Sequence, residues 1–373
     1  MSVSIAPRPA IPVERLALGK PPEAVPALFG RLFSLCPMAH AKAAATALEA
    51  ALEISVPPSL ALLRDLQADV ERIRELGLNL LLSDGRISPW PPRLIALCRR
   101  LIEALGGDAA HWPTAAFEPD AAAFRTSLAE LRALASALLG NLWHEREPDL
   151  ETVGHWQAHD ACAAADWMRR ALLPGWADFG RCSADELPAF SGSMLEAALG
   201  PGPARVNPAC PEWAGRPRET GCLIRQSSVP LIREALAVYG NGLFTRMLAR
   251  IVELKFLVED LTGGAERLPP VEPGPPPRRS GGIGVAQTEA ARGRLMHRAV
   301  VAEGRVCDYR MLAPTDWNFH PRGVVYRALL GAAAGDADSA RARIEAFLGV
   351  VDPCVGHRLI LEPVERTTPT LMF

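Results

Sequence analysis

Two cysteine motifs near opposite ends of this chain constrain its fold more than any other feature. Cys36 stands in R-L-F-S-L-C-P-M-A-H, four residues before His40, and Cys354 stands in V-D-P-C-V-G-H, three residues before His357. Soft thiolates and borderline imidazoles both suit iron, nickel or zinc. If the two motifs form one site, the two ends of the chain must pack together. We therefore predict a single domain over residues 1–373.

The remaining cysteines form no metal-binding pattern. The chain has eight cysteines, and no two of them are spaced as C-x-x-C. That spacing argues against a ferredoxin cluster, a zinc ribbon and a thioredoxin-type dithiol. In a reducing compartment we expect most of them to behave as small buried apolar residues.

The composition is that of an ordinary globular protein. Hydrophobic residues make up 49% of the 373 residues, charged residues 22%, and the net charge is −2. This balance gives no indication of a nucleic-acid or membrane partner. Neither an export signal nor an apolar stretch long enough to span a bilayer is visible, so we expect a cytoplasmic protein.

Helical patterns dominate the chain. An alanine-rich helix is predicted from Pro37, and a second from Ser59 with an apolar stripe that ends at Gly77. Residues 264–284 are rich in proline and glycine and predict a loop. Two β-rich runs joined through Glu303-Gly304 predict a hairpin. Further helices are predicted at 92–105, 120–140, 157–172, 229–262 and 336–349. The fold class is mainly α with a small antiparallel sheet.

The positions of the two motif cysteines favour the thiolate form. If a helix begins at Pro37, Cys36 is its N-cap residue, and unpaired N–H groups and the helix dipole face the sulfur. Pro353 can open a helical turn in the same way, which would place Cys354 at a second helix N-terminus. His40, one turn after Cys36, could hydrogen-bond its sulfur. On the segment of Cys36 alone, a buried cysteine beside a histidine in the capping region is the favoured interpretation, and the presence of the C-terminal motif reverses this preference.

Several motifs together resemble the large subunit of nickel–iron hydrogenases. In that family the two cysteine motifs read R-x-C-G-x-C-x-x-x-H and D-P-C-x-x-C. E-A-A-R-G-R-L-M-H at 289–297 resembles E-A-P-R-G-x-L-x-H, and A-P-T-D-W-N-F at 313–319 resembles V-P-[ST]-x-W-N. R-E-T-G-C-L-I-R at 218–225 and A-R-I-V-E at 249–253 are also similar. The match covers residues 31–46 and roughly the last 150, but not residues 50–200.

The resemblance implies a metal site that has lost half of its ligands. The family holds a nickel–iron centre on four thiolates. Here Phe33 and His357 stand at two of those positions, and Cys36 and Cys354 keep the other two. A single-iron site on Cys36 with Cys354 or His357 remains feasible, and which of the two is the partner stays open. Nickel is not expected.

The resemblance also implies donors for the diatomic ligands of iron. In the family an arginine and a serine or threonine after proline hydrogen-bond the cyanide nitrogens. Arg292 and Thr315 match those positions, with Pro314 beside them. A buried acceptor without a donor costs about 1–3 kcal/mol, so such donors matter in a dry pocket. The bland interpretation is an arginine that pairs with a carboxylate and a threonine at a strand end.

A shortened large-subunit homologue with these losses resembles hydrogenase maturation proteins of the HupK/HoxV type. The resemblance implies a non-enzymatic scaffold that transiently holds Fe(CN)₂(CO) and has no catalytic residues. Its implied partners are the hydrogenase large-subunit precursor and a small iron-carrying maturation chaperone. The alternatives are a divergent metallo-oxidoreductase of the hydrogenase large-subunit type and a metal-free paralogue that binds maturation partners.

Overall fold

The fold is mostly helical and carries two small sheets. The computed structural model describes residues 4–5, 12–82, 88–107, 112–113, 116–265, 268–330, 337–356 and 358–360. Its α-helices are α1 (Val25–Leu32), α2 (Pro37–Leu52), α3 (Pro58–Leu82), α4 (Trp90–Ala104), α5 (Ala121–Leu139), α6 (Leu150–His159), α7 (Ala163–Ala171), α8 (Gly192–Leu199), α9 (Cys222–Gln226), α10 (Pro230–Tyr239), α11 (Leu243–Ala265), α12 (Pro314–Asn318), α13 (Val324–Leu330) and α14 (Ala337–Val351).

The strands form two three-stranded sheets. They are β1 (Asp185–Glu186), β2 (Glu212–Trp213), β3 (Arg216–Glu219), β4 (Gly282–Ala290), β5 (Gly293–Ala302) and β6 (Arg305–Leu312). The larger sheet is antiparallel with the order β4-β5-β6, and it contains the predicted hairpin. In the smaller sheet β3 lies between β1, which is parallel to it, and β2, which is antiparallel to it.

Helix α2 packs directly on the larger sheet. Its alanine-rich side is buried against β4 and β5. The approach to β4 is so close that a Cβ atom at Gly284 would lie 1.9 Å from the carbonyl oxygen of Ala47. Small residues on both elements permit this contact. The start of α2, and Cys36 with it, is thereby fixed over one side of the sheet.

Two long helices, α3 and α11, form the centre of the main core. Leu63, Val70 and Ile73 of α3 are buried with Leu248, Val258 and many other apolar residues. A buried ion pair also ties α3 to α2, because Arg64 donates to both carboxylate oxygens of Glu49 at 3.0 and 2.7 Å.

Several predicted boundaries are wrong. Helix α3 continues through Gly77 to Leu82, because Leu94 of α4 packs so closely that a Cβ at Gly77 would lie 2.5 Å from it. The predicted helix 157–172 is two helices, α6 and α7, and the Asp160 carboxylate between them accepts a hydrogen bond from Asn141 N at 2.6 Å.

The predicted helix 229–262 is also two helices, α10 and α11. The first N–H groups of α11 are bound to another segment, since Leu243 N and Phe244 N donate to the carbonyl oxygens of Phe179 and Ala177. The predicted loop 264–284 overlaps both neighbouring elements, since α11 reaches Ala265 and β4 begins at Gly282, and strand β4 itself was not predicted. No helix within the described ranges is long and apolar enough to cross a membrane.

Candidate metal site

Cys36 lies at the start of helix α2, as predicted. Helix α1 ends at Leu32, and α2 begins at Pro37 with Cys36 as its N-cap residue. Its sulfur makes no capping hydrogen bond. Cys36 is partly buried and packs beside Ala39, Ala43 and the sheet. The proline at the first helical position accounts for this helix start.

The structure does not give Cys36 the expected thiolate environment. Glu71 of α3 occupies the helix N-terminus, and its carboxylate accepts from Met38 N at 2.7 Å and from Ala39 N at 3.1 Å. Burial raises the pKa of the Cys36 thiol well above its usual value, and the charges of Glu71 and Cys354 raise it further. Burial also raises the pKa of Glu71 to about 8, although the two N–H groups lower it.

Cys354 lies in a loop and not at a helix N-terminus. Helix α14 ends at Val351, and Asp352 takes a left-handed conformation with φ +60°. Its N–H donates to Leu348 O at 2.7 Å, which closes the last turn of the helix. Among the described residues after Pro353 no helical turn forms, so that part of the prediction is wrong. Cys354 is partly exposed.

Two buried arginines fix the loop that carries Cys354. Asp352 accepts from Arg250 Nη2 at 3.2 Å and from Arg292 Nη2 at 3.3 Å. Arg250 also donates to Val350 O at 3.0 Å, and Arg292 to Glu75 of α3 at 3.1 Å. Charge-assisted hydrogen bonds therefore attach the loop to the core.

Arg292 makes the carboxylate pairs of the structural interpretation of its motif. It pairs with two carboxylates, yet its buried Nε has no hydrogen-bond partner among the described residues. Although burial lowers it, the pKa of Arg292 lies above its usual value because Asp352 and Glu75 stabilise the cation. A buried donor left free at a site is one that a ligand can satisfy.

Thr315 contacts Cys354 directly. Its hydroxyl lies 3.0 Å from the Cys354 sulfur, and Cys354 N donates to the Thr315 oxygen at 3.2 Å. Thr315 is part of helix α12, which begins at the buried Pro314, so it does not lie at a strand end. Asp316 accepts from Ala313 N at 2.8 Å, which explains an acidic residue after the threonine as a helix cap.

His40 does not make the predicted hydrogen bond to the Cys36 sulfur among the described residues. Its Nδ1 lies 3.1 Å from Nε2 of His297, whose Nδ1 lies 2.8 Å from the Tyr309 hydroxyl. The Phe33 ring stacks on the His40 ring with a centroid distance of 3.5 Å and an interplanar angle of 7°. Burial lowers the pKa of His40 well below its usual value, and His297 lowers it further.

The two motif cysteines influence each other electrostatically. The charge of Cys354 contributes to the raised pKa of Cys36, which requires the two thiols to lie in the same region of the fold. Arg292 also contributes to the pKa of Cys36 and binds the loop of Cys354. His357 lies outside the described residues. Within the described ranges, no three histidine, cysteine or acidic side chains form a metal-binding group.

The sequence pattern did not predict the buried polar side chains of helix α3. Gln67, Glu71 and Glu75 follow one another at four-residue spacing beside the apolar stripe, and all three are buried. A polar row next to an apolar one is normally read as the solvated face of a helix. No signal in a single sequence could have identified them, because their burial depends on other elements that cover both flanks of α3.

Comparisons with known proteins identify the family. The chain is 34% identical over 365 residues to the hydrogenase expression/formation protein HoxV of Cupriavidus necator, which covers 92% of this chain and 89% of that protein. It is 29% identical over 367 residues to the hydrogenase expression/formation protein HupK of Bradyrhizobium diazoefficiens, with 96% and 92% covered. The chain belongs to the HupK/HoxV family.

The fold comparison agrees with this membership. The Ni-Fe-Se hydrogenase from D. vulgaris Hildenborough matches the HupK/HoxV-type chain with a TM-score of 0.68, at 16% identity over 95% of this chain and 93% of that one. At that identity the match shows the fold alone, and it confirms the predicted hydrogenase large-subunit-like class. No protein-family model matches the chain.

Proposed function

We propose that this protein is a scaffold in the assembly of nickel–iron hydrogenase, and that it transiently holds the Fe(CN)₂(CO) unit. The observation that supports the proposal is the contact of Thr315 with the Cys354 sulfur, beside Asp352, which pairs with Arg292. Cys354 and Arg292 both act electrostatically on Cys36. The names of its relatives, hydrogenase expression/formation proteins, support a role in maturation without catalysis. The setting proposed for this role is the cytoplasm.

The side chains suit an electron-rich iron that brings its own ligands. Two cysteine sulfurs would bind the iron, which would deprotonate both thiols despite the raised pKa of Cys36. The free Nε of Arg292 is a donor for a cyanide nitrogen, which is a strong acceptor. Thr315 would orient the Cys354 sulfur rather than meet cyanide, because its hydroxyl is already bound to that sulfur. His357 remains the alternative partner of Cys36.

The proposed site is selective for iron over nickel. Phe33 stands where the resemblance places a nickel-binding cysteine, and its ring stacks on His40. An apolar ring in that position offers no metal ligand. In this proposal a nickel ion has only Cys354 left on its side of the site.

The partners follow from the same role. A small iron-carrying maturation chaperone would deliver the unit, and the hydrogenase large-subunit precursor would accept it. Two protein ligands would hold the iron less tightly than the four thiolates of the finished centre. Transfer to the precursor would therefore be favourable.

Infrared spectroscopy and label transfer test this proposal. Protein purified without oxygen from a host with the full maturation machinery should show cyanide and carbonyl stretches with stoichiometric iron. Mixing that protein, carrying labelled iron, with metal-free large-subunit precursor should move the label to the precursor. Stoichiometric nickel without those bands would contradict the proposal. Retained label together with hydrogen oxidation by the protein alone would favour the divergent metallo-oxidoreductase.

A further inference from the structure

Three polar ring side chains form a buried hydrogen-bonded chain beside the Cys36 helix. The Tyr309 hydroxyl lies 2.8 Å from His297 Nδ1, and His297 Nε2 lies 3.1 Å from His40 Nδ1. Each of the three side chains is 3% exposed or less. His40 N donates to Cys36 O at 3.1 Å, so the chain ends one helical turn from the cysteine.

The tyrosine sets the direction of these hydrogen bonds. Among the described residues, His297 is the hydrogen-bond partner of the Tyr309 hydroxyl. A buried hydroxyl proton has to be donated, so it is donated to His297 Nδ1. Burial lowers the pKa of His297 to about 3, which makes the ring neutral with its single proton on Nε2. That proton is donated to His40 Nδ1, which must therefore be bare, so the proton of the His40 ring is on Nε2.

The opposite direction fails at Tyr309. If His297 Nδ1 carried the proton, it would donate to the Tyr309 oxygen, and the phenolic proton would have no acceptor among the described residues. His40 would then present a bare Nε2 lone pair. A lone pair repels a cyanide nitrogen or any other acceptor, so the direction of the chain decides which ligands His40 tolerates.

We infer that Tyr309 and His297 are positioning residues that fix His40 as the Nε2–H tautomer, so that His40 supplies a hydrogen-bond donor to an anionic ligand held at Cys36. Nε2 of His40 has no hydrogen-bond partner among the described residues, which leaves that donor available. Phe33, stacked on His40 with an interplanar angle of 7°, holds the plane of the ring. The inference rests on the proposed function only for the identity of the ligand.

The first test uses metal-free protein with ¹⁵N-labelled histidine. Long-range ¹H–¹⁵N correlation spectra distinguish the two tautomers, and His40→Gln assigns the signals of His40. We expect a protonated Nε2 and a bare Nδ1 in the wild type, and a mixture of both tautomers in Tyr309→Phe. Tyr326→Phe, which alters a tyrosine outside this chain, should leave the spectrum of His40 unchanged. A wild-type His40 protonated on Nδ1, or a Tyr309→Phe spectrum like the wild type, overturns the inference.

The second test uses protein loaded with the labelled iron unit. Tyr309→Phe should shift a cyanide stretch and hasten loss of the label by about twofold, because an equal mixture of tautomers halves the population that can donate. If the wild type never acquires cyanide bands, the proposed function fails while the tautomer result still stands. If the bands appear and Tyr309→Phe changes neither their position nor the rate of loss, the role in ligand binding is wrong.

Discussion

The two cysteines of the site are held in different ways. Cys36 begins a long helix whose alanine-rich side is packed on a sheet, and its neighbourhood is fixed by apolar contacts and the buried Glu71. Cys354 stands in a loop after α14, partly exposed, and is fixed by polar contacts of Thr315 and Asp352. Apolar packing over a large area is harder to undo than a few hydrogen bonds.

This difference suits a protein that has to release what it binds. A fixed cysteine can retain the cargo in one position, while a loop-held cysteine can withdraw when a partner takes over. The polar contacts of the loop are individually small, at about 1 kcal/mol for an ordinary hydrogen bond and somewhat more for charged ones. The comparison predicts that changes on the Cys36 side alter the whole site, whereas changes on the Cys354 side alter its rate of release.

Removal of either cysteine should have the largest effect. Cys36→Ala and Cys354→Ala are each expected to abolish iron retention and to stop maturation of the partner hydrogenase, because each removes one of two thiolates. Iron content by atomic absorption and hydrogenase activity of the host measure both outcomes. Circular dichroism should remain that of the wild type, since neither side chain belongs to the fully buried core.

The controls are cysteines that belong to neither of the two metal-binding motifs. Cys307 is exposed and Cys210 is partly exposed, and their alanine variants should keep the metal. Cys98 is a poor control because it is fully buried in the main core, where a truncation leaves a cavity. Equal loss of iron in Cys307→Ala would show that the assay reports general damage and not ligand loss.

Glu71→Gln tests how the Cys36 side depends on its buried carboxyl. The folded-state pKa is raised to about 8 from an ordinary value of 4.5. The contribution of the protonated Glu71 carboxyl to the free energy of unfolding is fully present below pH 4.5 and is lost as the pH rises through 8. Between pH 5 and 8 the wild type should therefore lose on the order of 3 kcal/mol of unfolding free energy that Glu71→Gln does not lose. Urea unfolding of metal-free protein at several pH values measures the difference.

A matched control exists on the surface of α4. Glu103 is largely exposed and pairs weakly with Arg99 at 3.6 Å, so Glu103→Gln should keep the pH dependence of the wild type. If Glu71→Gln and the wild type lose stability in parallel between pH 5 and 8, Glu71 is ionised in the folded protein and the interpretation of the Cys36 side is wrong.

The sequence predicted the elements better than their ends. The start of α2 at Pro37 and the turn at Glu303-Gly304 were predictable because proline and glycine act locally. The end of α3 was not predictable, since Gly77 allows the close approach of Leu94, which belongs to the next helix, α4. A glycine predicts the end of a helix from local sequence alone, but at Gly77 the small residue makes room for a tertiary contact and the helix continues.

At the site, the motifs identified residues whose partners only the structure reveals. Thr315 contacts the Cys354 sulfur, and Arg292 pairs with Asp352, two residues before Cys354. The partners Glu71 and His297 could not be derived, because a buried acid and a buried histidine look like surface residues in one sequence. The prediction that the N-terminus of α2 stabilises a Cys36 thiolate is wrong for the same reason, since the Glu71 carboxylate of another helix accepts from the N–H groups there.

Asp352→Asn tests the Cys354 side through its arginines. The change leaves Arg250 and Arg292 without their shared carboxylate, which is itself mostly buried. Because Arg292 keeps Glu75, the free energy of unfolding should fall by only about 2 kcal/mol, below the usual cost of breaking a buried pair. Chemical denaturation gives this value. The matched change Asp185→Asn, in an exposed pair with Arg216, should cost less than about 1 kcal/mol. Equal costs would show that the loop does not depend on Asp352.

Thr315→Val should have the smallest effect and the most specific one. Valine keeps the shape of the side chain but removes the hydroxyl that contacts the Cys354 sulfur at 3.0 Å and accepts from Cys354 N at 3.2 Å. A loss of about 1 kcal/mol corresponds to roughly fivefold faster release of labelled iron to an excess of chelator. Thr315→Ser keeps the hydroxyl and should release iron at nearly the wild-type rate. If valine and serine behave alike, the polar contacts do not govern the Cys354 side, and the contrast between a fixed and a releasable cysteine fails.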